Sequence, residues 1–343
     1  MKIIYSDKHK AHAGAKEMRY DQMIEMSDSP ERIDIIIEGL ANAGFTELVQ
    51  AAVFDIDVAK KIHSPEFIDF LQRAYPLWEQ EFGPGGFATA YTFGMRGMNQ
   101  RPNESVHSML SCYTFDVCVP IVEGTWLAIR SAIDVVLSGV QAIKQGESAV
   151  LSLCRPPGHH ASQDLAGGYC YMNNVAIAAQ QYIDQGAKRV AILDVDYHHG
   201  NGTQRIFYQR NDVLFVSLHA RPEQEYPFLM GYQNETGEGA GEGYNVNLPM
   251  PKGTAFNEYQ KCLATAIDKV KNYQADVLLI SLGVDTYIDD PVGGFALVSE
   301  DYLELGAMIG ELALPTHFVM EGGYAMADLG KNVANVIAGF SRA

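Results

Sequence analysis

Val190-Ala191-Ile192-Leu193-Asp194-Val195-Asp196-Tyr197-His198-His199-Gly200-Asn201-Gly202 is an apolar run that opens into two carboxylates, two imidazoles and a glycine-bounded turn. The run reads as a buried strand, and its polar continuation as the loop after it. In extended backbone, residues two apart project the same way, so Asp196 and His198 can present a carboxylate and an imidazole to one point. A buried strand that ends in ligating side chains is the signature of a parallel α/β sheet, where ligands gather at the carboxyl ends of strands.

Outward from that stretch the chain keeps alternating. Residues 149–153, 213–218, 276–281 and 317–320 are further apolar strands, and 1–7 reads as a first one. Helical patterns fill 174–184 (closed by Gly186), 254–271, 299–312 and 328–340. Earlier, Ser29-Pro30-Glu31-Arg32 reads as an N-cap with Pro at the first helical position, opening a helix to about Ala43. Residues 65–73 and 123–144 are helical as well. The expected fold is α/β: one domain spanning 1–343, a central, mostly parallel eight-stranded sheet with helices on both faces, and an insertion loop at about 80–102. That loop carries Gly83, Gly85, Gly86, Gly94 and Gly97 with Phe82, Phe87, Tyr91, Phe93, Met95 and Met98. An apolar patch of this kind calls for a partner, and a homodimer is the expected one, the loop shaping the mouth of the partner's site.

Other strands end in chemistry too. Residues 281–285 close on Asp285, and with Asp196 and His198 it completes a two-carboxylate, one-imidazole set that leaves open positions, the mark of a catalytic rather than a structural metal. Residues 154–160 end in His159-His160 after Pro156-Pro157-Gly158, a rigid loop suited to holding acid–base groups. Glu321-Gly322-Gly323-Tyr324 can deliver a phenol as an oxyanion donor. Together these imply hydrolysis of a carbonyl bond by metal-activated water. There is no GxSxG, no GxGxxG after a strand and no GxxxxGK[ST], which disfavours serine-hydrolase, dinucleotide and P-loop chemistry.

Composition narrows the partners. Against 42 Asp and Glu stand 25 Lys and Arg, a formal charge of −17. That repels nucleic acid and anionic membranes and favours a small cationic or neutral ligand. Five cysteines with no CxxC point to a reducing compartment, and the cytoplasm is expected. No apolar run approaches 18 residues, so no membrane span is expected.

RPPGHH (155–160), GGYCYMNN (167–174), DVDYHHGNGT (194–203), SLGVD (281–285) and MEGGY (320–324) together resemble the metal-dependent histone deacetylase superfamily, with its arginase/deacetylase fold. Within it the chain looks closest to the bacterial acetylpolyamine amidohydrolases. The resemblance implies one Zn²⁺ on Asp196, His198 and Asp285. It implies a catalytic pair His159 and His160, partnered by Asp194 and Asn201, and Tyr324 beside the acetyl carbonyl. Because Asn201 carries no charge, His160 is expected to be the less basic histidine. The resemblance also implies tunnel walls at Gly168, Tyr169 and Tyr226. It implies K⁺ at Asp194, Asp196, His198, Ser217 and Leu218, and a second K⁺ at Phe207, Arg210, Val213 and Tyr244. The polyamine branch places acids at the tunnel mouth, where this chain has His107 and Cys118; Asp116, Glu104 and Glu17 are the expected substitutes. The implied activity is hydrolysis of acetylated polyamines, with protein lysine deacetylation as the alternative and a non-catalytic binding protein as a remote one. Arginase chemistry needs a second Asp two residues after Asp285, and Tyr287 stands there.

Overall fold

The computed structural model describes residues 1–19, 21–94 and 102–343. Its strands, in chain order, are β1 (Lys2–Tyr5), β2 (Lys16–Arg19), β3 (Gln22–Glu25), β4 (Leu48–Gln50), β5 (Ala149–Ser152), β6 (Val190–Asp194), β7 (Val213–Ala220), β8 (Asn245–Met250), β9 (Val277–Leu282) and β10 (Thr316–Met320). Its α-helices are α1 (Glu31–Asn42), α2 (Pro65–Phe82), α3 (Val106–Tyr113), α4 (Thr125–Lys144), α5 (Asn174–Asp184), α6 (Asn201–Phe207), α7 (Phe256–Tyr273), α8 (Asp301–Gly310) and α9 (Leu329–Phe340). Eight strands form one sheet in the order β4-β1-β5-β10-β9-β6-β7-β8, and every neighbouring pair is parallel. β2 and β3 form a separate antiparallel hairpin.

Strand alternation divides the core. Val190 and Ile192 turn to the face covered by α2, α4, α5 and α6, while Ala191 and Leu193 turn to the face covered by α1, α7, α8 and α9. Continuous apolar strands are what a sheet buried on both sides requires.

Several expectations shift. The sheet is wholly parallel rather than mostly so. β8 was not expected, because Asn245, Asn247 and Pro249 break an apolar run; as an edge strand it tolerates proline, whose missing N–H costs nothing on the open side. α2 does not stop at residue 73 but runs to Phe82 through Pro76 and is capped by Gly83 at φ +85°. The insertion loop therefore begins at Gly83, and its 95–101 portion, with Gly97, Met95 and Met98, lies outside the described residues. Pro30 is already helical and occupies the capping position itself, so α1 starts at Glu31. α4, though interrupted by Arg130 and Asp134, is long and apolar enough by composition to cross a membrane, but 72% of its apolar window is buried in the fold, as the core helix beside β5. All five cysteines are free.

Because the strands are parallel, the loops after β5, β6, β9 and β10 all open on one edge of the sheet. β10 stands between β5 and β9, and β9 beside β6, so four loops converge there.

Candidate active site

The loop after β6 delivers Asp196 and His198, and the loop after β9 delivers Asp285. Their ligand atoms all lie within 4.8 Å of one another and all three are buried. His198 Nδ1 is 2.9 Å from Asp285 Oδ2 and 3.4 Å from Asp196 Oδ1. Backbone comes close beside them: a Cβ on Gly322 would sit 2.6 Å from carboxylate oxygens of both Asp196 and Asp285, and one on Gly283 would collide with Asp196. Burial, then the neighbouring Asp196 carboxylate, pushes Asp285 up to about 7. Two dehydrated carboxylates beside an imidazole repel each other until a cation joins them. The donor set fits a divalent metal with open positions.

Beside this cluster lie the tandem histidines. His159 Nδ1 is 3.0 Å from Asp194 Oδ2, and His160 Nδ1 is 2.7 Å from Asn201 Oδ1. Burial disfavours charge on His159, but the Asp196 and Asp194 carboxylates outweigh it and raise the group to about 10. His160 is driven well below its ordinary value, by burial first and then by the charges on His159 and His198. The two imidazoles are thus driven apart, His159 upward by two carboxylates and His160 downward by burial and neighbouring positive charge. The pair is held from beneath: Glu321 Oε2 accepts from the backbone N–H of Gly158 at 2.6 Å and of His159 at 3.1 Å.

Tyr324 follows β10, and its ring lies edge-to-face with Tyr169, centroids 5.7 Å apart. Burial pushes the Tyr324 phenol far up, so it stays a proton donor. Arg32, wholly buried in α1, donates to the carbonyls of Glu321 (2.7 Å) and Gly323 (2.8 Å), is paired with Asp28, and places its guanidinium 4.7 Å from the Tyr324 ring centre. Sequence reasoning missed Arg32, although an arginine on the apolar stripe of α1 with Ile33, Ile36 and Leu40 was a visible anomaly.

A cavity of about 510 Å³ leads from these groups to the surface, lined by Tyr169, Gly168 and Tyr226 among others. Gly168 has φ +54°, and a Cβ there would strike the His160 ring and lie 2.8 Å from the Tyr226 hydroxyl. The Tyr226 ring stands 4.9 Å from that of His160.

The expected mouth residues divide. Cys118 and Glu17 line the cavity, Glu17 only 3% exposed with its Oε1 accepting from Ser27 Oγ at 3.0 Å. Asp116 is not a free acid: Oδ1 accepts from Cys118 N, and Oδ2 from Gly168 N and the Tyr226 hydroxyl, so it ties the walls together. His107 does not line the cavity; it packs among Trp78, Phe82 and Tyr91, 3.3 Å from Glu81. Glu104 is spent on Arg73 at 2.6 Å. Two cavity groups had no signal in the sequence, Glu225 and Lys252.

Asp194 pairs with Ser217 across β6 and β7, which sets two members of the first expected K⁺ set side by side. In the second set, Phe207 O accepts from Arg210 N and Tyr244 O from Phe215 N, both at 2.9 Å, and Val213 opens β7 nearby.

Residues 26–340 match the histone deacetylase domain. Over 340 residues the chain is 45% identical to acetylpolyamine amidohydrolase 2 of Pseudomonas aeruginosa, covering 99% of this chain and 98% of that one. It is 39% identical to the acetylpolyamine amidohydrolase of Mycoplana ramosa, with 99% of each covered. The crystal structure of acetylpolyamine aminohydrolase from Burkholderia pseudomallei superposes with a TM-score of 0.94 at 35% identity, covering 99% of this chain and 98% of that one.

Proposed function

The chain belongs to the histone deacetylase family and is an enzyme of the deacetylase/amidohydrolase type, and from that premise we propose that it hydrolyses the acetyl amide of acetylated polyamines, releasing acetate and free amine. The observation that carries this reading is the convergence of the Asp196–His198–Asp285 cluster, the His159–His160 pair and Tyr324 on the floor of one narrow cavity. Asp196, His198 and Asp285 would hold Zn²⁺, which supplies Lewis acidity to the carbonyl and lowers the pKa of water.

The chain's own groups then divide the work. His160, neutral and tied to Asn201, takes the proton from the attacking water. His159, kept cationic by Asp194, hands a proton to the leaving amine nitrogen. Tyr324 donates its hydroxyl to the oxygen on which negative charge grows. Tyr169, Gly168 and Tyr226 shape a slot for a slim acyl chain, and Glu17 adds negative charge to its wall. K⁺ in the two expected sets would tune the zinc ligands from below. The proposed setting is the cytoplasm, in keeping with five free thiols.

His160→Ala is expected to cost roughly tenfold more in kcat than His159→Ala, the weight of a positioned base. Asn201→Asp should raise the His160 pKa, because a carboxylate favours the charged imidazole, and so move the acid limb of the pH–rate profile to higher pH. Superimposable profiles for wild type and Asn201→Asp would refute that division.

The reading includes a homodimer joined through the insertion loop. Tyr91 is 84% exposed and Phe93 42%, whereas Phe87 packs inward on the Tyr169–Tyr324 cluster. A Tyr91→Ser/Phe93→Ser variant is expected to be monomeric by light scattering; a wild-type monomer at micromolar concentration excludes the dimer.

The reading as a whole is tested with acetylputrescine, acetylspermidine and an acetyl-lysine peptide. The small amines should exceed the peptide in kcat/KM by at least about tenfold, one well-placed interaction's worth. A peptide preference would instead make the chain a protein lysine deacetylase.

A further inference from the structure

Glu225 and Lys252 stand on the cavity wall, 27 residues apart in sequence, with Lys252 Nζ 3.3 Å from Glu225 Oε2. Glu225 is anchored. Its Oε2 also accepts from the hydroxyl of Tyr197 at 3.0 Å, and its Oε1 from the backbone N–H of Tyr226 at 3.2 Å. Tyr197 is itself fully buried and sits edge-to-face on the His198 ring, centroids 4.9 Å apart. The carboxylate is therefore fixed to the metal-binding loop on one side and to the tunnel wall on the other. Lys252 is not anchored in the same way. Its side chain is 57% exposed, against 17% for Glu225.

The lysine lies in a made-to-measure lane. A Cβ on Gly294 would come within 2.8 Å of Lys252 Cε and 2.6 Å of the Tyr197 hydroxyl, so the absent side chain is what lets an alkyl chain cross to the carboxylate. Chemically, a lysine side chain is a butylammonium. The cavity wall already shows how it receives an alkylammonium, with a tethered one in place.

We propose that Glu225 is a specificity-determining residue that receives the distal ammonium of the substrate, and that Lys252 is an internal competitor which the substrate displaces. The proposal rests on the amidohydrolase reading and deepens it. An exposed ion pair is worth little in water, so exchange of one ammonium for another costs little, and the free lysine head returns to solvent. A substrate without a distal charge gains nothing from Glu225, since it would leave the existing pair intact. The pair thus makes the wall neutral to uncharged amides and attractive to amines that replace the lysine.

The test compares acetylputrescine with N-butylacetamide, the same chain without the amine, in wild type, Glu225→Gln, Lys252→Met and the double variant. The readout is the ratio of kcat/KM for the charged over the neutral substrate, so turnover of N-butylacetamide reports an intact site in each variant. Glu225→Gln is expected to lower the ratio about tenfold, the size of one charge-assisted hydrogen bond. Lys252→Met should raise it several-fold at low salt, and that gain should vanish in the Glu225→Gln background. A ratio unchanged within twofold in Glu225→Gln, or a Lys252→Met gain that persists without Glu225, overturns the proposal. Equal wild-type turnover of both amides also overturns it. Wild-type enzyme that cleaves neither amide overturns the amidohydrolase reading instead.

Discussion

Asp285→Ala is expected to leave a folded protein with almost no zinc and with turnover reduced by at least about 10³-fold, since a Lewis acid contributes several kcal/mol to such a reaction. Asp285 is wholly buried and does two things at once. Its Oδ2 faces His198 Nδ1, and its Oδ1 accepts from the backbone N–H of Tyr197 at 2.9 Å. Alanine removes one of three protein ligands and also the brace that aims the other two. Asp285→Asn separates these effects, because it keeps the shape and an acceptor while losing the charge. Metal content by atomic absorption, read beside kcat, checks both variants. One zinc per chain with wild-type kcat in either would remove Asp285 from the ligand set.

Tyr324→Phe is expected to retain metal and stability and to lose roughly 10²–10³-fold in kcat, the usual cost of one oxyanion donor. The ring's surroundings explain why the loss should fall on kcat alone. The guanidinium of Arg32 and the Tyr169 ring pack against the aromatic face and edge, and phenylalanine preserves both contacts. Only the hydroxyl goes, the part proposed to meet the substrate's oxygen. Near wild-type turnover would move the oxyanion role to another group. A KM rise with kcat intact would make Tyr324 a binding residue instead.

The parts of this site that could be read from the sequence are those written locally. Asp196 and His198 were legible because an apolar strand ends two residues earlier, and Asp285 because a second strand ends three residues before it. The His pair was legible because a Pro-Gly loop cannot hide two imidazoles in a core. Contacts between distant segments left no such trace. Asp116 looked like a spare acid until the fold brought it to Tyr226, 110 residues away, and His107 looked like a mouth residue until α3 packed it against α2. Glu225 and Lys252 are an unremarkable acid and base in loops, and only the fold makes them neighbours, with room left by Gly294 for the lysine. β8 went unseen for a different reason: an edge strand needs only one bonded side and one buried face, so its polar residues and its proline do not spoil it.

The position of β10 bears on how the molecule is made. Among the described strands it comes last in chain order, yet it pairs with β5 on one side and β9 on the other. Until it arrives, β4-β1-β5 and β9-β6-β7-β8 are two separate half-sheets. Asp196, His198 and Asp285 all belong to the second half, whereas the His pair hangs from the first half and leaves the ribosome before them. Tyr324 travels with the joining strand itself. A nascent or truncated chain ending before Thr316 therefore holds the Asp196–His198–Asp285 cluster and the His159–His160 pair with no fixed distance between them. It also exposes two unpaired strand edges, which favour association over refolding. The site is therefore completed in a single event, when β10 seats between β5 and β9.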